Sequence, residues 1–150
     1  MTNIAEYPPD AEDRLAYAVS LLKGAEAVAA CAHGHAGRRH AIPFFLLIGF
    51  SMENGLKAYL EHVGVDKIEK IDRPPLAHNL SRLCALAIGN GLSLPPDSVR
   101  LIDGLSDYHQ NHVFRYPKNA GTVDLYSDQF AYVWTDEALA AVTRGINYVP

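Results

Sequence analysis

The chain has 150 residues, 49% of them hydrophobic and 20% charged, which suits one ordinary domain with a core of its own. Its formal net charge of -4 excludes a surface that is basic all over, the usual feature of proteins that bind duplex nucleic acid. Any contact with nucleic acid is therefore expected to be local.

The composition also bears on the compartment of the protein. The most apolar run, residues 41–50, is about half as long as a bilayer-spanning helix, and the first residues contain neither a basic nor an apolar stretch. Cys31 and Cys84 lie in alanine- and leucine-rich surroundings without a CxxC motif, so we expect both to be buried free thiols. These features predict a cytoplasmic protein with no membrane segment and no secretory signal.

Helical periodicity dominates the long segments and predicts an all-α fold, an antiparallel bundle. Helices are expected at about residues 10–32, 42–63, 78–89 and 97–113. Pro43 is expected in the first turn of the second helix, which is the most hydrophobic and is placed at the centre. Asp97 is expected to cap the fourth helix.

The segment from residue 114 to residue 134 contains proline, glycine and aromatic residues without helical periodicity. We interpret it as an ordered loop with a short pair of strands at 122–126 and 130–134. A short last helix is expected after Thr135, whose hydroxyl can cap it.

The fourth helix carries the clearest candidates for chemistry. A helical wheel places His109 and His112 on the same side as Ile102 and Leu105, so both histidines face apolar neighbours. They are either hydrogen-bonded histidines at a helix or subunit contact, or a proton-transfer or phosphate-binding cluster that Arg115 continues. Both interpretations stay open at this point.

Glu53 lies at the edge of the apolar face of the second helix, where a carboxylate needs a partner because its desolvation is costly. Lys57, one turn further on, can provide a peripheral ion pair. Alternatively, Glu53 reaches inward to His78, His109 or Arg115 and builds a polar site.

A metal site is disfavoured by the sequence. Histidines three residues apart share a face of a helix, but no third ligand or carboxylate stands at a matching spacing near His109 and His112. We therefore predict that the protein has no metal and no other cofactor.

The sequence lacks the motifs of conventional hydrolases, kinases and dehydrogenases. It has no phosphate-cradling glycine loop, nucleophile elbow, HExxH or zinc-finger spacing. The tract HGHAGRRH at residues 33–40 is predicted to be an interhelical loop, either a solvated connection or a place where Arg38 and Arg39 bind phosphate.

Three pieces of sequence, taken in order, carry a family resemblance. They are ENGLKAYLEHVG in the second helix, HNLSRL at the start of the third, and SDYHQNHVFRYPK at the end of the fourth, before an Ala-rich last helix. In order and spacing they resemble the HEPN (higher eukaryotes and prokaryotes nucleotide-binding) family over roughly residues 10–148. The most specific piece is the segment from Tyr108 to Pro117.

The resemblance implies an up-and-down bundle of four main helices plus a short C-terminal one, commonly a homodimer. It implies RNA cleavage, a role in toxin–antitoxin or phage-defence systems, or a nucleotidyltransferase or antitoxin partner. Ribonucleases of the family have an Arg, usually followed by Asn, with a His a few residues on. This chain departs from that motif, since the match from Arg73 to His78 contains two prolines and His109 precedes Arg115 in reverse order.

The hypothesis is therefore a HEPN-like, nucleotide- or RNA-associated module, with a non-catalytic dimeric interaction domain as the alternative. If RNA is cleaved, a histidine acts as general base toward the 2′-hydroxyl and Arg115 stabilises the charge that develops on the phosphorane. The candidate catalytic residues are His109, His112 and Arg115. The candidate nucleotide- or RNA-binding residues are Tyr116, Lys118, Glu53, His78, Arg38 and Arg39.

Overall fold

A computed structural model describes residues 10–31, 38–116 and 125–147, with the backbone alone at residues 38–40. The described ranges contain five α-helices and no strand, which confirms the all-α prediction. The helices are α1 (Ala11–Cys31), α2 (Arg38–His62), α3 (Leu80–Gly89), α4 (Pro96–Gln110) and α5 (Asp128–Asn147), with a short 3-10 turn at Val65–Lys67.

Helix α2 lies at the centre of the molecule, as its apolar sequence predicted. It packs against each of the other four helices, and every residue from 51 to 60 is buried. Its most extensive contact is with α1, where small residues such as Ala18 and Ala25 let the helices approach closely. The Ser51 hydroxyl donates to the Ala18 carbonyl at 2.8 Å, so the polar group of this interface is satisfied.

Two features beside the connection between α1 and α2 differ from the prediction, the first residue of α2 and the exposure of Cys31. Helix α2 begins at Arg38, so the last three residues of the tract at 33–40 are helical and Pro43 is the sixth helical residue. Proline there removes only one backbone hydrogen bond, close to the helix end, which a helix tolerates better than a loss in its interior. Cys31, the last residue of α1, is exposed rather than buried, whereas Cys84 is buried as expected.

Helices α3 and α4 occur where the sequence placed them, with different first residues. The side chain of Asn79 accepts from the backbone N–H of Arg82 at 2.9 Å and caps α3, so His78 lies just outside the helix. Helix α4 begins with Pro96 after Pro95, so Asp97 lies in its first turn and is not its cap. It ends at Gln110 rather than near residue 113, so His112 lies outside the helix on whose face it was predicted.

The last helix is the largest error of the sequence prediction. Helix α5 is 20 residues long and begins at Asp128, so residues 130–134 are helical and no strand forms there. Thr135 lies inside the helix, where its hydroxyl donates to the Ala131 carbonyl at 2.7 Å instead of capping a helix start. The other half of the predicted strand pair, residues 122–126, falls mostly outside the described residues.

Candidate functional site

A buried carboxylate lies at the centre of the candidate site. Glu53 is in the middle of α2 and is only 4% exposed. Its Oε1 accepts from the Lys57 ammonium at 2.7 Å, and its Oε2 accepts from His109 Nε2 at 2.6 Å and from His78 Nδ1 at 3.1 Å. The two interpretations of Glu53 therefore both hold in part, because it pairs with Lys57 and also reaches inward to the histidines.

These partners determine the ionisation of Glu53. Burial on its own raises the pKa of the carboxyl group, but the hydrogen bond from His109 and the charge and hydrogen bond of Lys57 outweigh it. The pKa of Glu53 consequently falls from 4.5 to about 2. The carboxylate is thus ionised at neutral pH and accepts a hydrogen bond from each of the two imidazoles. In each imidazole, the ring nitrogen that faces Glu53 therefore carries a proton.

The ring of His109 is wedged between α4 and α2. A Cβ added at Gly49 would lie 2.5 Å from His109 Nδ1, so only glycine lets the ring approach the backbone of α2 this closely. The ring also makes an edge contact with Phe50, at 5.0 Å between centroids. Because its side chain is almost fully buried, His109 is out of reach of a large ligand such as RNA at the surface of the molecule.

His78 provides the solvent-facing part of the cluster. It precedes the Asn79 cap of α3, which holds it over the end of α4, and its side chain is 36% exposed. Its ring centroid is 6.0 Å from that of His109 and 5.2 Å from that of His112. The sequence separates His78 from His109 by a whole helix, and folding brings the two side chains to the same carboxylate.

His112 lies in the turn after α4 and has a left-handed backbone, with φ of 55°. This conformation is unfavourable for residues other than glycine and recurs at functional sites, where the surrounding structure holds it. Its Nδ1 is buried and has no hydrogen-bond partner among the described residues. Burial, the positive charge of Arg115 and the neighbouring His78 all lower the pKa of His112, so its imidazole is mainly neutral at pH 7.

Arg115 and Tyr116 lie at the rim of the cluster, and both are exposed. The Arg115 guanidinium is stacked over the Phe50 ring, 4.6 Å from its centroid, which orients the cation beside the histidines. Lys118 and the side chains of Arg38 and Arg39 lie outside the described residues. The structure therefore brings together Glu53, His78, His109, His112 and Arg115 from the predicted set.

An ionic network behind Glu53 was missed by the sequence analysis. Lys57, itself buried, also donates to Asp72 at 2.8 Å, and Asp72 accepts from Arg14 of α1 at 3.1 Å. Arg14 contacts Glu61 at 2.7 Å. Burial raises the pKa of Glu61 despite Arg14, whereas Lys57 and Arg14 outweigh burial and lower the pKa of Asp72. Arg14 lies on the same face of α1 as the buried Ala18 and Leu22, and a charged residue on that apolar face was the signal for this network.

Space at the site is limited within one chain. The depression lined by His109, His112 and Arg115 has about 140 Å³ of empty volume, less than a typical small-molecule pocket. A wider groove with about 960 Å³ of empty volume lies between α1, α2 and α5, and none of the described residues that line it is a histidine or an arginine. Ligands of the histidine cluster would thus bind across its rim, where Arg115 and His78 face solvent.

The structure corrects the expectation that no carboxylate lies beside the histidines. The sequence analysis found no carboxylate to complement a histidine pair, whereas the structure places Glu53, His78 and His109 together with their ligand atoms within 4.8 Å of one another. The three residues come from separate parts of the chain, so no local spacing could reveal them.

Comparisons with models of protein families, with curated proteins and with solved structures gave no match for this chain. Among the helices that the structure describes, none has both the length and the apolar character needed to cross a membrane.

Proposed function

We propose that this chain is a HEPN-like module that binds RNA or a nucleotide at the cluster formed by Glu53, His78, His109, His112 and Arg115. The observation that carries the proposal is the convergence of two imidazoles on one buried carboxylate, with a third imidazole beside His78 and an exposed guanidinium at the rim. A guanidinium is the side chain best suited to bidentate phosphate contacts. Tyr116, exposed beside it, offers a ring for base stacking.

If the module cleaves RNA, His112 is the best candidate for the general base. Its lowered pKa keeps the imidazole neutral, the form in which a histidine can accept a proton. Arg115 would stabilise the charge that develops on the phosphorane. The buried His109 and Glu53 would hold the other side chains of the cluster in position. Of the three candidate catalytic residues, His112 and Arg115 then remain.

Other parts of the proposal rest on the family resemblance. They are the up-and-down antiparallel order of the helices, homodimer formation, and a role in a toxin–antitoxin or defence system with a nucleotidyltransferase or antitoxin partner. A cytoplasmic location is proposed from the two free cysteines. An adjacent gene for such a partner would support this role.

The alternative function, a non-catalytic dimeric interaction domain, has one structural observation in its favour. Tyr126, Phe130 and Val133 are exposed at the start of α5, and Phe130 stacks on Trp134 at 5.4 Å between ring centroids. Exposed aromatic side chains are typical of surfaces that contact other proteins.

The test measures binding and stability on the same variant, Arg115→Ala. Short single-stranded RNAs and nucleotides are titrated against the wild type and the variant, and both proteins are melted. We expect binding to be lost, while stability falls by only about 0.5–1 kcal/mol, the value of an exposed cation–π contact.

The matched control is Arg100→Ala, because Arg100 is an exposed arginine of α4 that pairs with Asp97 near the opposite end of the helix. It should leave binding unchanged. Absence of binding by the wild type, together with a large loss of stability in Arg115→Ala, would favour the interaction domain instead.

A further inference from the structure

Three ligand atoms of the kinds preferred by transition metals converge beneath the rim of the cluster. Glu53 Oε2, His78 Nδ1 and His109 Nε2 lie within 4.8 Å of one another, and both nitrogens point at the same carboxylate oxygen. Two imidazoles and one carboxylate form a donor set that holds zinc and related ions, with a coordination position left for solvent or substrate.

The fold orients each of these three donors independently. Gly49 lets the His109 ring lie against α2, so that its Nε2 faces Glu53. The Asn79 cap fixes the chain next to His78. Lys57 occupies Glu53 Oε1 at 2.7 Å, which leaves Oε2 free to act as a monodentate ligand. Such hydrogen bonds to the non-coordinating atom of a ligand are a regular feature of metal centres.

The charges around Glu53 leave room for a further cation. Among the described residues, the ion pairs of its network join three carboxylates, those of Glu53, Glu61 and Asp72, to two cations, Lys57 and Arg14. With the carboxylates ionised, these five groups together carry one net negative charge. At the end of this network stand two imidazoles, which can either take up a proton or coordinate a metal ion.

Access and a further ligand are also present at this position. The side chain of His78 is 36% exposed, so an ion can enter from solvent. The His112 ring is 5.2 Å from that of His78, and its buried Nδ1 has no hydrogen-bond partner in the described part of the chain. This imidazole therefore borders the site on the side of His78.

We propose that Glu53, His78 and His109 form a binding site for one divalent transition-metal ion of the zinc type, with His112 beside its open coordination position. The ion displaces the protons on the two nitrogens that now face Glu53, so binding weakens as the pH falls. This site goes beyond the proposed contact with RNA, because it shares His78 with the rim of the cluster but does not involve Arg115 or Tyr116 and requires no nucleic acid.

The test uses untagged protein that has been stripped with a chelator and then titrated with Zn²⁺ by calorimetry near pH 7.5. We expect one Zn²⁺ per chain in the wild type. His78→Ala should weaken binding by at least about 100-fold, more than the loss of a mere supporting partner costs. His62→Ala, which removes an exposed histidine at the end of α2, is the matched control and should bind like the wild type.

Co²⁺ provides a second readout that does not depend on the variant being folded. The wild type should give the visible absorption of a four- or five-coordinate cobalt ion with nitrogen ligands, and this absorption should disappear on acidification to about pH 5, where imidazoles are protonated. The site is refuted if the wild type binds neither ion, or if His78→Ala folds and binds Zn²⁺ as tightly as the wild type does. Because no RNA is present, the result is independent of the RNA-binding test.

Discussion

At the residue scale, Glu53 determines the character of the whole site. A buried carboxylate is destabilising by itself, and its partners on α2, on α4 and before α3 compensate for the lost hydration. The sequence could predict that Glu53 needs a partner, because it sits on an apolar face, and it correctly named Lys57, His78 and His109 among the candidates. It could not choose between them, because the choice depends on how three separate segments pack.

Replacing the Glu53 carboxylate should change how the stability of the protein depends on pH. Folding lowers the pKa of Glu53 from 4.5 to about 2. The group therefore contributes stability above about pH 4.5, which is lost as the pH falls toward 2. The shift corresponds to about 3 kcal/mol. Glu53→Gln should thus destabilise the protein at pH 7, and the difference from the wild type should shrink between pH 4.5 and pH 2.

Urea unfolding at a series of pH values measures this difference directly. Glu137→Gln, which changes an exposed carboxylate of α5 in the same way, serves as the control and should differ little from the wild type at every pH. A difference between Glu53→Gln and the wild type that stays constant from pH 7 to pH 2 would show that Glu53 does not have a lowered pKa.

At the element scale, helices were predicted accurately from the sequence where they bury large apolar side chains. Helices α1 to α4 bury leucine, isoleucine or phenylalanine, and their positions were predicted to within a few residues. The first turns of α5 invert this pattern, since they bury small residues such as Ala131 and Thr135 while Phe130 and Val133 face outward. Large apolar residues are buried further along the helix, at Leu139, Val142 and Ile146. The first turns consequently showed no helical periodicity in the sequence and were interpreted as a loop with a short strand.

The contact between α2 and α4 gives a prediction about packing. Gly49→Ala places a Cβ 2.5 Å from His109 Nδ1, and the ring cannot move away without breaking its bond to Glu53. We expect a loss of about 1–3 kcal/mol, the usual cost of overpacking a core. Gly24→Ala makes the same change in α1, where the nearest atom of Leu47 would be 3.6 Å away.

Alanine stabilises a helix by up to about 1 kcal/mol relative to glycine. The control variant Gly24→Ala should therefore be as stable as the wild type or more stable. Thermal melts of both variants provide the comparison. Equal stabilities for the two would mean that the His109 ring has room to shift, and that its position against α2 is not fixed.

At the scale of the whole molecule, the structure changes the reason to expect a dimer. From the sequence, the apolar face of the fourth helix that carries the histidines was a possible subunit contact. In the structure that face is buried within the chain, with Leu101, Leu105 and His109 all in its interior. The dimer therefore rests on the family resemblance and on the exposed aromatic residues at the start of α5.

Light scattering coupled to size-exclusion chromatography checks this expectation. We expect a mass close to twice 16.4 kDa at micromolar concentrations and above. Phe130→Ser, which removes an exposed aromatic of that surface, should shift the equilibrium toward the monomer, whereas Ile68→Ser removes an exposed apolar residue elsewhere and should not. A monomer mass for the wild type at every accessible concentration would contradict the dimer.

The stacking of Phe130 on Trp134 makes this surface observable by fluorescence. Trp134 is the single tryptophan of the chain, it also makes an edge contact with Tyr126, and its carbonyl accepts from Ser98 of α4 at 2.7 Å. Its emission thus reports on the start of α5 and on the contact of that helix with α4. A ligand that binds at the histidine cluster alone would leave this emission unchanged, whereas a protein partner that covers the aromatic residues would alter it.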